Sequence, residues 1–124
     1  MRVKKIKVGI GEVKEVLEDF VRAGEAIEKG EEVKKEVGIY FESIEAFRKA
    51  LTPKRLELIH LIKEHSPQSI HELSKLAERD IKNVADDVEL LTNLGLVEAR
   101  RRKEGRKEIV PKVKYDAIEL RIAV

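Results

Sequence analysis

No cysteine and no tryptophan occur among the 124 residues, and methionine occurs once. Without thiols there is no disulfide, no thiolate metal site and no cysteine-based redox switch. The aromatic residues are two tyrosines and three phenylalanines, so the core must be built from Leu, Ile and Val, and few rings are available to stack unpaired bases. No apolar run approaches the roughly 20 residues of a membrane span. The N-terminus MRVKKIKVGIG is basic but has no continuous apolar segment of the kind a signal peptide carries. A cytoplasmic protein with no membrane partner is the expectation.

Catalytic signatures are also missing. There is no GxGxxG, no phosphate-binding loop and no serine nucleophile in a familiar setting. His60, His65 and His71 are the only histidines, and the first two lie five apart, which does not align them on one helix face. The chain is therefore expected not to be an enzyme and to carry no cofactor and no metal.

What the chain has in abundance is charge. Asp, Glu, Lys and Arg make up 40% of it, a composition resembling that of thermophile proteins, whose surface ion pairs gain weight at high temperature. The net charge of +2 hides a strong asymmetry. Residues 1–8 hold four cations and no anion, residues 9–98 sum to −7, and residues 99–124 sum to +5. Cations thus gather at the two ends. The densest cluster is Arg100, Arg101, Arg102, Lys103, Arg106 and Lys107.

Periodicity supplies the elements. Ile6, Val8 and Ile10 alternate as in a strand, and Val37, Ile39 and Phe41 alternate again. Between them Val13, Val16, Leu17, Phe20, Val21 and Ile27 follow helical spacing over 12–28, with Gly30 as the C-cap. Ser43 can cap a short helix carrying Ile44, Phe47 and Leu51. Thr52-Pro53 is a helix start, with a capping hydroxyl followed by a proline at the first helical position. Leu56, Leu58, Ile59, Leu61 and Ile62 give that helix a wide apolar face, which Ser66-Pro67 ends. Ser69 and Glu72 have capping-box spacing at the head of a helix lined by Ile70, Leu73, Leu76 and Ala77. After Glu78-Arg79, Asp80 can cap a helix whose stripe is Ile81, Val84, Val88, Leu91 and Leu94, closed by Gly95. Leu96-Val97 lead into a strand, Glu104-Gly105 turn it, and Ile109 to Tyr115 return. Ile118, Leu120, Ile122 and Val124 alternate at the end.

The expected class is mainly α with a small β component: three helices and a hairpin over residues 51–124, with an α/β extension over residues 1–50. Two short helices joined by a tight turn can set the second into a major groove while the first braces it. With the apolar stripe buried, the outward positions near the start of the second helix are Lys82, Asn83, Asp86 and Asp87, with Arg79 in the turn and Ser69 at the head of the first helix as further contacts. Asn can bond adenine bidentately, Lys or Arg can reach guanine or phosphate, and Asp can accept from cytosine N4. A plain three-helix core with a solvated face would read the same way. The hairpin separates the two, because six cations in eight positions repel one another and have no structural use. They suit phosphates and a narrow minor groove. RNA would attract the same cations, but the shortage of aromatics disfavours it.

Residues 37–115, and within them the Thr52-Pro53 helix start, the inner residues Ile70, Leu73 and Leu76, and the LLTNLGLVE run into a basic hairpin, resemble the winged helix-turn-helix regulators of the MarR-like class. They are similar, more narrowly, to a family of small DNA-binding proteins of archaea and bacteria. The resemblance implies a transcriptional regulator of double-stranded DNA, with Arg100 to Lys107 as the wing. Relatives encoded beside a toxin are taken to act as antitoxins, so it also implies a cognate toxin as an alternative partner. The long flanking helices of full MarR proteins are missing, and no effector pocket carries over. Residues 1–50 cannot bury both faces of their elements alone. They are expected to make a homodimer, together with strand 117–124, or else to hold the toxin, the remaining alternative being a simple extension of the winged-domain core.

Overall fold

The computed structural model describes residues 4–11, 38–101 and 109–122. The helix expected over 12–28, its Gly30 cap and the Glu104-Gly105 turn lie outside them. The chain divides into two units, residues 1–49 with 115–124, and residues 50–114.

The first unit is built on a three-stranded sheet in the order β2-β1-β5, parallel throughout, from β1 (Lys5–Ile10), β2 (Gly38–Phe41) and β5 (Ala117–Ile122). The period-2 pattern puts Ile6, Val8, Ile10, Ile39 and Phe41 on one face, where all five are buried. At the head of β5, Asp116 and Lys4 clamp the strands together. Lys4 N donates to Asp116 Oδ2 at 2.9 Å, and Asp116 N donates to Lys4 O at 2.7 Å. Helix α1 (Ile44–Ala50) is capped as expected, since Ala46 N donates to Ser43 Oγ at 3.1 Å. Its Phe47 meets Phe41 edge to face at 5.7 Å. Strand β5 thus corrects one boundary: residues 117–122, expected within the winged domain, pair with β1 instead.

The second unit has the element order of a winged helix: α2 (Pro53–His65), α3 (Ile70–Ala77), α4 (Ile81–Leu94), then the antiparallel hairpin β3 (Glu98–Arg101) and β4 (Ile109–Lys112). Leu58, Ile62, Leu73, Val84, Leu91 and Leu96 are essentially inaccessible to solvent and form the core between the helices. β4 packs against α2 and α3 through Val110 and Pro111, both buried.

Local chemistry marks each boundary. Thr52 Oγ1 accepts from Arg55 N at 3.3 Å, with Pro53 in the first turn. Ser66 closes α2 in the left-handed region, its N–H donating to Ile62 O. Gly95 closes α4 at φ 87°, a conformation that suits a residue without Cβ. Asp80 stands at the N-cap of α4 but makes no side-chain cap bond, contrary to expectation. Three apolar residues expected to be buried are instead exposed: Leu56, Leu76 and Ile81. A three-helix layer covers each helix on one side only, so the edges of wide apolar stripes stay in water. Ser74 takes an inner place that the apolar pattern had not assigned, its hydroxyl donating to His71 O at 2.7 Å.

Candidate nucleic-acid interface

Helix α4 advances 100° per residue, so Val84, Val88 and Leu91 share the buried stripe. Lys82, Asp86, Glu89 and Asn93 share the ridge directly opposite. All four of the latter are exposed, and Asn83 flanks them, also exposed. The first turn adds Ile81, 44% exposed, and Ala85 is open as well. The outward face of the helix is therefore Lys82, Asn83, Ala85, Asp86 and Glu89 with an apolar corner at Ile81. Such a face offers donors, acceptors and an aliphatic group for a thymine methyl.

Asp87 and Arg79 do not belong to that face. Asp87 lies about 60° from the centre of the buried stripe, and its side chain is only 14% exposed. Its carboxylate joins two guanidinium groups: Arg55 Nε donates to Oδ1 at 3.0 Å, and Arg79 Nη2 donates to Oδ2 at 2.7 Å. Arg55 also donates from Nη1 to Ala50 O at 3.0 Å. Side chains from α2, from the α3–α4 turn and from α4 are thus tied at one carboxylate, which sets how α4 is presented. The outward places expected for Arg79 and Asp87 are corrected on this geometry. Arg79 also contributes the one buried side-chain polar atom without a hydrogen-bond partner among the described residues, Nη1.

Ser69 is occupied structurally. Its Oγ accepts from Glu72 N at 3.0 Å, while Glu72 Oε2 accepts from Gln68 N at 3.3 Å, one residue before the place a standard capping box uses. Ser69→Ala is expected to cost about 1 kcal/mol and to lower Tm by roughly 4–8 °C in a thermal melt.

On the hairpin, Arg100 and Arg101 are exposed. Glu98 lies 3.7 Å from Arg100 Nη2 and 3.4 Å from Lys114 Nζ, surface pairs that constrain these cations weakly. Arg102, Lys103, Arg106 and Lys107 lie outside the described residues. His60 pairs with Glu64 at 2.9 Å on the exposed side of α2, and His65 and His71 are exposed. Among the described residues no cluster of three His, Cys, Asp or Glu is placed to hold a metal ion. No helix among them is long and apolar enough to cross a membrane.

No curated protein matches the chain. One solved structure similar to it is the homodimeric winged helix-turn-helix DNA-binding domain of a possible ArsR-family transcriptional regulator from Mycobacterium bovis. It is 15% identical, with a TM-score of 0.44, and the match covers 79% of this chain and 66% of that one. The model of the HVO_A0114 family matches residues 50–120, more than half of the chain, and the chain belongs to that family.

Proposed function

We propose that this protein is a transcriptional regulator that binds duplex DNA as a symmetric dimer, reads the major groove with α4 and grips the flanking backbone with its hairpin. The observation that carries this reading is the exposed face of α4, Lys82, Asn83 and Asp86, in the same unit as a hairpin whose Arg100 and Arg101 stand in solvent. Helix α4 follows α3 after a three-residue turn, the spacing of a helix-turn-helix pair. With Asp87 neutralised inside the unit by Arg55 and Arg79, the outward face carries one acid fewer than its sequence implies. The acids that remain, Asp86 and Glu89, suit a helix that selects rather than one that binds tightly, since phosphates repel them. Affinity then falls to the hairpin. A dimer on adjacent half-sites would repress the promoter it covers, including its own.

The test is recovery of genomic fragments bound by the full chain at physiological salt. A common sequence with two-fold symmetry supports the reading, and an unselected set of fragments overturns it. Asn83→Ala is expected to relax preference at one base pair of each half-site, costing about 1–3 kcal/mol of discrimination there, with little change in binding to unrelated DNA.

A further inference from the structure

Among the described residues strand β5 is an edge of its sheet, and its apolar face is only half covered. The apolar face of the sheet is fully covered along β1, where Val8 is 0% and Ile10 4% exposed. Their register neighbours on β5, Leu120 and Ile122, are 43% and 47% exposed. Cover extends over β2 and β1 and gives out at β5. Backbone groups are left over as well. Ala117 N donates to Lys4 O, and Gly11 N donates to Phe41 O on the far side of β1. By the alternation of a strand, residues 117, 119 and 121 turn their N–H and C=O toward β1. Ile118, Leu120 and Ile122 turn theirs to the outer edge, where no strand lies among the described residues. Natural sheets blunt such an edge with proline, lysine or an inward charge. The segment AIELRI has none of these. Its two charges lie on the other face and are opposite in sign.

We propose that β5 pairs with β5 of a second copy, antiparallel, about a two-fold axis through Leu120, making one continuous six-stranded sheet. The charges select this register. With the axis at Leu120, Glu119 lies opposite the partner's Arg121, Ile118 opposite the partner's Ile122, and Leu120 opposite the partner's Leu120. Opposite residues share a face, so apolar meets apolar and acid meets base, twice over. An axis at Glu119 would set two glutamates against each other and place Arg121 against Ala117. An axis between residues would turn every apolar side chain to the charged face. The outward groups of Ile118, Leu120 and Ile122 are also the ones that hydrogen-bonded pairs require. On the charged face Lys7 neighbours Glu119 in register, and the partner's Arg121 extends that row in alternating sign. Lys5 already lies 3.6 Å from Glu119, so the acid sits between cations of both chains. The inference rests on the dimer of the proposed regulator but not on its binding to DNA.

The absence of cysteine makes the test direct. In the full chain, without DNA, Leu120→Cys is expected to form an intersubunit disulfide on mild oxidation, because paired Cα atoms about 5.5 Å apart lie within disulfide reach. Glu119→Cys alone should not, whereas a mixture of Ile118→Cys and Ile122→Cys chains should cross-link only between the two variants. Glu119→Arg should raise the dimer dissociation constant about tenfold by sedimentation, as two attractive pairs become repulsive. Glu119→Arg with Arg121→Glu should restore it. Cross-linking through Glu119→Cys, or a double charge swap that fails to rescue, overturns the register. A dimer unaffected by every β5 change overturns the surface while leaving a dimeric DNA-binding protein intact. A chain that stays monomeric yet binds two-fold symmetric DNA overturns the pairing alone. A monomer that selects no DNA overturns both readings.

Discussion

Asp87→Ala is expected to destabilise the protein by about 3 kcal/mol, a fall in Tm of roughly 10–20 °C, more than any change on the exposed face of α4 beside it. The reason lies in what the substitution leaves behind. Arg55 and Arg79 have side chains only 20% and 19% exposed, and both direct guanidinium nitrogens at the Asp87 carboxylate. Without it, two cations face each other in poor solvent with less than their full complement of acceptors. Breaking a buried pair by removing one partner costs far more than the pair contributes against apolar residues of similar size. Arg79 is the contrasting case. Its Nη1 is already buried without an acceptor, a defect that itself costs about 1–3 kcal/mol. Arg79→Met removes that defect and leaves Asp87 bonded to Arg55, so its cost is expected to stay below about 1 kcal/mol. The combination of Arg55→Met, Arg79→Leu and Asp87→Leu should recover most of the loss from Asp87→Ala. Urea unfolding of the four proteins checks this order. Equal stability of Asp87→Ala and the parent would mean that the three side chains are solvated and do not act together.

Much of the winged-helix unit was legible because its signals are local. Thr52-Pro53, Ser69 and Gly95 mark helix ends through bonds spanning at most five residues, and each is made where the residue types call for it. The central apolar positions, Leu58, Ile62, Leu73, Val84, Val88 and Leu91, lie buried at helical spacing. The flanks of those stripes were harder. Leu56, Leu76 and Ile81 carry the pattern beyond what a single covering layer can reach, and residue type alone does not say where cover ends. Asp87 was misplaced for a different reason. Its angle on α4 adjoins the buried stripe, but a carboxylate there is expected to turn outward unless cations come to meet it. Arg55 does so from 32 residues away. The terminal strand shows the same limit more sharply: alternation at Ile118, Leu120 and Ile122 announces a strand, yet its partner is β1, joined across 112 residues by the Lys4–Asp116 bond. Periodicity reports which face a residue occupies. It does not report which strand lies beside it.

The proposed division of labour between helix and hairpin predicts opposite consequences for changes in the two. Replacing Arg100, Arg101, Arg102, Lys103, Arg106 and Lys107 together by glutamine is expected to weaken binding to all duplex DNA, on the order of a thousandfold at low salt, if each cation neutralises one phosphate. The sharper signature is the salt dependence. Each lost phosphate contact removes about 0.9 from the slope of log K against log salt, so the slope should become shallower by about 5. Arg101→Ala with Arg102→Ala should take away about 2 of that. Arg100, lying 3.7 Å from Glu98, should contribute least, because part of its charge is already offset. The residual binding should keep its base preference, since Lys82 and Asn83 are untouched and exposed on α4. Asn83→Ala should do the reverse, holding the slope while losing discrimination. Titration of a recovered site and of a scrambled duplex, each at several salt concentrations, separates the two effects. A glutamine hairpin that binds as tightly as the parent at matched salt would remove the hairpin from the interface, and α4, with Asp86 and Glu89 on its outer ridge, carries too little positive charge to hold DNA alone.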